Sequence, residues 1–215
     1  MAAELTFYTN PMSRGQIARW MLEEVGAPYE THILDYGTSM KDAAYLAINP
    51  MGKVPAIVHD GQVVTECAAI CAYLADAFPD AGLTPAADAR ADYYRWMFFA
   101  AGPVEQAITA KHFGVEPDGD QQRMTGFGSL DMALDALETA VTFWLADPIH
   151  FRSGYLKEYL WRWLVHCPLS DLARSRLERA AIGYLDRPIK REFAAMCRAM
   201  HRIGREAFWM RVSHA

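Results

Sequence analysis

The chain has 215 residues, a formal net charge of −5 and ordinary proportions of hydrophobic (52%) and charged (22%) residues. This length and composition are typical of a globular protein with one large domain or two small ones. The sequence also contains no run of about 18 apolar residues, so we expect no transmembrane helix.

The amino terminus and the cysteines indicate a reducing compartment. The segment MAAELTFYTN lacks the basic and apolar blocks of a signal peptide, so we expect a cytoplasmic location and no membrane partner. The cysteines follow neither a Cys-x-x-Cys redox pair nor a zinc-ligand spacing, which predicts free thiols and no bound metal.

Charge is distributed unevenly along the chain. Residues 1–150 hold 8 Lys/Arg and 20 Asp/Glu, a net −12, whereas residues 151–215 hold 13 and 6, a net +7. The basic segment is a functional surface, a segment of different origin, or a part that neutralises the acidic part across a packed interface. Because no stacking platform or motif accompanies the charge, we expect no nucleic-acid partner.

The first 80 residues alternate between strand and helix patterns. Ser13 is the predicted N-cap of the first helix, and the Asp60-Gly61 dipeptide predicts a hairpin. In chain order we predict strand 4–9, helix 13–26, strand 28–36, a short helix 41–48, the hairpin strands VPAIVHD and GQVVT, and helix 66–78. This order predicts an α/β unit with a right-handed parallel crossover at its start.

Residues beyond about 86 show helical periodicity and no convincing pair of strands. We predict a domain over 1–80, a linker over 81–88 and an all-α domain over 89–215. The helical segments are 86–114, interrupted near Gly102-Pro103, then 128–147, and roughly 154–166, 170–184 and 188–208; PDGDQQ reads as a loop before the second of these.

Three features of the α/β unit point to chemistry, and each also has an ordinary structural explanation. The loop NPMSRG leads into a helix N-terminus, where free N–H groups favour an anion, but Ser13 is also a common capping residue. Glu66 opens another helix, which is electrostatically favourable in any protein. If the Val54–Pro55 bond is cis, Val54 can present its backbone N–H and C=O to an extended peptide.

The segments FYTNPMSRG (7–15), NPMGKVPAI (49–57) and TECAAICAYL (65–74) together resemble the glutathione S-transferase family, in particular bacterial, Ser-type, theta- or beta-like members. The resemblance covers 1–80 closely and 86–147 more loosely. It implies a thioredoxin-like N-terminal domain followed by an all-α domain. It also implies a homodimer that conjugates glutathione, as co-substrate, to small hydrophobic electrophiles.

The same resemblance implies roles for individual residues in glutathione binding. Val54, before a cis-Pro55, pairs with the cysteinyl backbone of glutathione, and Lys53 reaches one of its carboxylates. Glu66 binds the γ-glutamyl amino group. Cys67 stands where the family commonly has a serine that binds the γ-glutamyl carboxylate, and we expect weaker glutathione binding or a compensating contact because a thiol is a weak donor.

Three residues are candidates for activating the glutathione thiol. Ser13 lies five residues after Tyr8, the spacing at which Ser- and Cys-type members place this residue, and we favour it. Tyr8 is the second candidate and Asn10 the third. For the electrophile pocket the candidates are Met12, Tyr94, Phe98, His112 and Phe113, beside Lys111. Packing in a core or a subunit interface is the favoured explanation for each of the aromatic residues.

One departure from the family and two rival functions remain open. The capping box that normally opens the sixth helix of the family is not found after residue 147, and 148–180 shows little of the family pattern. A module that binds glutathione or a protein partner without transferase activity is therefore the main alternative. A thiol–disulfide oxidoreductase is disfavoured, because it needs a cysteine where Ser13 stands.

Overall fold

The computed structural model describes residues 5–146, 161, 162, 164, 166, 169, 171–185 and 193–212. Most of the predicted helix over 154–166, and most of the segment 148–180 that departs from the family pattern, lie outside these residues. The chain forms two compact units, Met1–Glu105 and Gln106–Ala215. The domain and linker boundaries given above remain predictions.

The first unit contains a four-stranded mixed sheet. Its strands are β1 (Leu5–Thr9), β2 (Glu30–Ile33), β3 (Ala56–His59) and β4 (Gln62–Thr65), in the order β2-β1-β3-β4. β1 and β2 are parallel. β3 is antiparallel to both of its neighbours, β1 and β4. The predicted parallel crossover and hairpin are therefore confirmed.

Helices cover the two faces of this sheet. They are α1 (Gly15–Val25) and α3 (Cys67–Ala77) on one face and α2 (Ala43–Leu46) on the other, and α4 (Arg90–Phe99) follows later in the chain. Because successive side chains of a strand point to opposite faces, Phe7 packs with Leu22 and Ile70 of α1 and α3, whereas Tyr8 packs with Tyr45 of α2. The alternation in β1 thus assigns its residues to two separate layers.

The backbone angles of the turn between β3 and β4 explain why the Asp60-Gly61 dipeptide predicts a hairpin. Asp60 has φ 49° and Gly61 has φ 76°. A two-residue hairpin turn of this type needs positive φ at both positions, which Gly adopts freely and Asp tolerates. The turn therefore fixes the register of the hairpin from local sequence.

The prediction that Ser13 caps the first helix is wrong. Helix α1 begins at Gly15, with Arg14 at the N-cap position and no side-chain cap. Ser13 closes the preceding turn instead: its N–H donates to the carbonyl of Asn10 at 3.0 Å, and its Oγ accepts from the Gly15 N–H at 3.0 Å. The tight turn made by the loop shifts the helix start by two residues.

The predicted interruption after the aromatic helix is confirmed. A π-helical turn, Ala100–Val104, follows α4, and α5 spans Glu105–His112. Pro103 lies within this turn, where its missing N–H and its ring disrupt the regular α-helical hydrogen bonds.

The prediction of a loop at PDGDQQ is wrong, since helix α6 spans Gly119–Met124. The side chain of Asp118 accepts from the N–H groups of Asp120 and Gln121, and the Gln121 side chain accepts from the Asp118 N–H. This reciprocal capping box satisfies donors at the helix start, and it outweighs the turn propensity of the Pro-Asp-Gly sequence.

The remaining described helices are α7 (Leu130–Ala146), α8 (Asp171–Leu185), α9 (Phe193–Ile203) and α10 (Glu206–Val212). The predicted helix over 188–208 is thus two helices that meet at Gly204-Arg205. Trp161, Leu177, Met200 and Phe208 belong to one buried cluster of the second unit. Among the described helices, none combines the length and apolar character needed to cross a membrane.

Candidate glutathione-binding site

The strand register brings three of the predicted site segments to one end of the sheet. Ala56, the first residue of β3, lies opposite Tyr8 of β1 on one side and Thr65 of β4 on the other. Three segments continue from these positions: the loop of residues 10–14 after β1 (the Ser13 loop), the Lys53–Pro55 segment and the start of α3. Segments that are far apart in sequence therefore lie close together at one end of the sheet.

The loop after β1 is held by the side chain of Asn10. Its Oδ1 accepts from the Met12 N–H at 2.9 Å, and its Nδ2 donates to the Leu34 carbonyl at 2.8 Å. Asn10 is buried, and both ends of its amide are engaged within the protein. These contacts make Asn10 a structural residue of the loop.

Ser13 lies between two backbone groups of the same loop. Its hydroxyl donates to the Asn10 carbonyl at 2.6 Å, while its Oγ accepts from the Gly15 N–H. The N–H of Gly15 polarises the hydroxyl, so that the Ser13 proton is a better donor than that of a free serine.

Tyr8 lies on the sheet face that α2 covers. Its ring centroid is 5.6 Å from that of Tyr45 and 5.1 Å from that of His32. The ring therefore packs in the layer beneath the Lys53–Pro55 segment, on the sheet face opposite the one that α1 and α3 cover.

The Val54–Pro55 peptide bond is cis, as the sequence motif predicts. Pro55 is buried, Val54 is half-buried and Lys53 is exposed. Within residues 5–146, neither the N–H nor the C=O of Val54 has a backbone hydrogen-bond partner. This short segment consequently has the free backbone groups that an added strand needs.

Glu66 and Cys67 form the start of α3. Glu66 is exposed, occupies the N-cap position and has φ 66°, a value that residues other than glycine rarely adopt. The Sγ of Cys67 donates to the Arg14 carbonyl at 3.4 Å, which connects the starts of α3 and α1. Burial, and then the charge of Glu66, raise the pKa of the Cys67 thiol against the opposing effect of Arg14, so the thiol remains neutral.

The candidate pocket residues are divided between the two units. Met12, Tyr94 and Phe98 belong to the first unit and are exposed, Met12 to 85%. His112 and Phe113 belong to the second unit and are also exposed, and the neighbouring Lys111 forms an ion pair with Glu116. Whether these residues line one pocket stays a prediction.

A cavity of about 470 Å³ opens beside the start of α1, next to the edge strand β2. Residues such as Gly15, Trp20 and Ile33 line it, and none of the predicted glutathione contacts does. Among the described residues, no group of three or more His, Cys, Asp or Glu side chains is placed to hold a metal ion.

Sequence reasoning missed the residues that hold the segment before Val54. Asn49 repeats the arrangement of Asn10: its Oδ1 accepts from the Met51 N–H at 3.1 Å, and its Nδ2 donates to the Lys53 carbonyl at 2.8 Å. Lys41 and Tyr45 donate to neighbouring carbonyls. The two Asn-Pro dipeptides were a signal for Asn49, because asparagine before a turn accepts from the N–H two residues on.

Comparison with known proteins identifies the family of the N-terminal region. Residues 12–77 match the family model described as the glutathione S-transferase N-terminal domain. The chain is 33% identical over 103 residues to glutathione S-transferase 3 of Schizosaccharomyces pombe, covering 46% of this chain and 42% of the relative. It is 36% identical over 97 residues to glutathione S-transferase GST-4.5 of Xanthomonas campestris pv. campestris, covering 44% and 47%. The chain thus spans less than half the length of these curated relatives.

Solved structures show the same fold. A glutathione transferase from Methylococcus capsulatus superposes with a TM-score of 0.55 at 24% identity, covering 91% of this chain and 98% of that one. A glutathione transferase homologue from Sulfitobacter with bound glutathione gives 0.50 at 24% identity, covering 98% and 97%. The predicted thioredoxin-like domain followed by a helical domain is confirmed. The N-terminal region of this chain, residues 12–77, therefore belongs to the family of glutathione S-transferase N-terminal domains.

Proposed function

We propose that this chain binds glutathione and transfers its thiolate to small electrophilic substrates. The observation that carries the proposal is the meeting of the Ser13 loop, the free backbone of Val54 and the start of α3 at one end of the sheet. The family match of residues 12–77 and the glutathione bound to the Sulfitobacter homologue support it.

Each part of glutathione has a matching group in this arrangement. The cysteinyl backbone pairs with the N–H and C=O of Val54 as an added strand. The carboxylate of Glu66 receives the γ-glutamyl ammonium group. The backbone N–H of Cys67, at the start of α3, donates to the γ-glutamyl carboxylate. Lys53, which is exposed, serves a carboxylate of the tripeptide.

Ser13 activates the thiol by donating a hydrogen bond to the sulfur, which stabilises the thiolate that forms when the thiol proton is released to water. A free thiol has a pKa of about 8.5, and lowering it by about two units requires roughly 2.7 kcal/mol. On binding, the hydroxyl exchanges its bond to the Asn10 carbonyl for one to the thiolate. A bond to a charged acceptor is about twice as strong as a neutral one, so this exchange favours the ionised thiol. The thiolate then attacks the electrophilic carbon and the leaving group departs with its electron pair.

Substitution of two of the activation candidates, Ser13 and Tyr8, tests this mechanism. Ser13→Ala should lower kcat for conjugation of a generic electrophile about 10- to 100-fold, because the thiolate loses its donor. Its Kd for glutathione, measured by calorimetry, should stay within about threefold of wild type. Tyr8→Phe is the comparison variant and should leave kcat nearly unchanged. Equal turnover in wild type and Ser13→Ala would remove Ser13 from the mechanism.

The alternative function is a glutathione-binding or partner-binding module without transferase activity. It is favoured by one observation: the Ser13 hydroxyl and the Cys67 thiol both donate to carbonyls of the chain itself, those of Asn10 and Arg14. Wild-type protein that binds glutathione by calorimetry, yet conjugates none of a panel of generic electrophiles, would support the module. The homodimer and the electrophile pocket are part of the transferase proposal and are tested by sedimentation and by turnover.

A further inference from the structure

We propose that Tyr45 and Asn49 are positioning residues that aim the backbone N–H of Val54 at glutathione; this inference rests on the proposed function. Both side chains lie on the α2 side of the sheet and approach the same atom, the carbonyl oxygen of Lys53. Neither side chain is assigned to contact the ligand, and both act through the backbone that does.

Two donors hold the Lys53 carbonyl in one direction. The hydroxyl of Tyr45 donates to it at 2.5 Å, and Nδ2 of Asn49 donates to it at 2.8 Å. Tyr45 is 3% exposed and Asn49 is 4% exposed, so water does not compete effectively for this oxygen. A carbonyl that accepts two hydrogen bonds from buried side chains cannot rotate without leaving both donors unsatisfied.

The direction of the Lys53 carbonyl sets the direction of the next N–H. Val54–Pro55 is the cis bond among the described residues, so the peptide between Lys53 and Val54 is trans. In a planar trans peptide, the C=O and the N–H point in opposite directions. Because the Lys53 carbonyl points inward to Tyr45 and Asn49, the Val54 N–H points outward, to the open edge.

The Tyr45 donor to the Lys53 carbonyl is held in place by packing and keeps its proton at neutral pH. Burial raises the pKa of Tyr45 to about 12, so its hydroxyl retains its proton. The ring of Tyr45 packs against Tyr8 with centroids 5.6 Å apart, which fixes its position. Lys41 extends the same pattern, since its Nζ donates to the carbonyls of Met51 at 3.1 Å and Gly52 at 2.9 Å. Three successive carbonyls are therefore held by side chains.

The experiment removes the donors while retaining shape. Tyr45→Phe deletes the hydroxyl, and Asn49→Asp deletes the amide donor but keeps the Oδ1 acceptor for the Met51 N–H. Each single variant should raise the glutathione Kd about three- to tenfold, because one donor remains. The double variant should raise it at least about 30-fold, since the carbonyl is then free to turn.

Tyr73→Phe is the matched control for the loss of a hydroxyl. Its hydroxyl bonds to Nδ1 of His59 at 2.9 Å, and His59 is at the far end of β3 from Val54. This variant should bind glutathione with the wild-type Kd. Circular dichroism establishes that every variant is folded before binding is measured.

Hydrogen exchange of individual amides separates positioning from general destabilisation. At saturating glutathione, the Val54 N–H of wild type should be protected from exchange, whereas that of the double variant should exchange at least about tenfold faster. The N–H of Ile57, within β3, should be protected equally in both proteins. A structural role alone would accelerate exchange at both positions.

The outcomes distinguish the inference from the proposed function. Wild type that does not bind glutathione overturns the proposed function and the inference together. Wild type that binds, with Tyr45→Phe and the double variant binding equally well and protecting Val54 equally, overturns the inference alone. Weaker binding with selective loss of Val54 protection supports it.

Discussion

In the proposed function, Cys67 lies where the γ-glutamyl carboxylate binds, so the donor strength of its side chain matters. Its thiol donates to the Arg14 carbonyl at 3.4 Å, and its proton is therefore directed to the protein. A thiol is a weak donor, and burial keeps this one neutral. The start of α3 consequently offers the ligand its backbone N–H groups and little from the side chain.

Cys67→Ser should tighten glutathione binding, because a hydroxyl is a stronger donor than a thiol and remains small enough for the site. We expect the Kd to fall about three- to tenfold in calorimetric titrations. Cys71→Ser makes the same change one turn further along α3 and should leave the Kd within about twofold of wild type. A Cys67→Ser variant that binds no better than wild type would show that the side chain at 67 does not face the carboxylate.

At the scale of the element, the start of α1 packs closely against the end of β1 because residue 15 is a glycine. A Cβ built at Gly15 would lie 2.0 Å from Oγ1 of Thr9 and 2.9 Å from Oγ of Ser13. Only glycine allows the helix to approach the end of β1 this closely. The close approach also places the Gly15 N–H on the Ser13 oxygen, so one residue serves both packing and the candidate catalytic hydroxyl.

Gly15→Ala should therefore affect stability and activity together. The overlap with Thr9 forces the loop to move and should cost about 1–3 kcal/mol of unfolding free energy, measured by urea denaturation. Conjugation should fall in parallel as Ser13 is displaced. Gly119→Ala is the control, because a Cβ there meets no atom within 4 Å. Wild-type stability and turnover in Gly15→Ala would contradict this packing.

At the scale of the whole molecule, the second compact unit is stabilised by a buried ion pair between its helices. In the second unit the carboxylate of Glu178, 2% exposed at the side chain, accepts from the backbone N–H and the Nε of Arg205 at 3.0 Å each, and from its Nη2 at 2.9 Å. Arg174 donates to the Ile203 carbonyl at 2.6 Å. These bonds join α8 to the corner between α9 and α10.

Arg205→Met should destabilise the second unit, because it leaves the buried carboxylate of Glu178 without its guanidinium. We expect the midpoint of thermal unfolding to fall by about 5 °C or more. Arg202→Met removes an exposed guanidinium from the last turn of α9 and should change the midpoint by about 1 °C at most. Equal midpoints for the two variants would mean that the buried ion pair is not important for stability.

The parts of the structure that could be predicted are those specified by neighbouring residues. Asp60-Gly61 fixed the hairpin, and the motif around Val54-Pro55 indicated the cis bond, because each depends on a few adjacent positions. The missed features depend on contacts between segments. Ser13 closes a turn set by the buried amide of Asn10, and Tyr45 of α2 donates to the Lys53 carbonyl in the loop that follows α2. Such contacts follow from packing, which a single sequence does not display.

In the proposed function, one glutathione molecule lies along the free backbone of Val54, between the Ser13 loop and the start of α3. The most direct test is a glutathione titration of ¹⁵N-labelled protein followed by ¹H–¹⁵N spectra. We expect saturable shifts of the Ser13, Val54 and Cys67 amides, with the Asp60-Gly61 turn at the far end of the hairpin unaffected. Shifts that spare Val54, or no saturable shift at all, would contradict it.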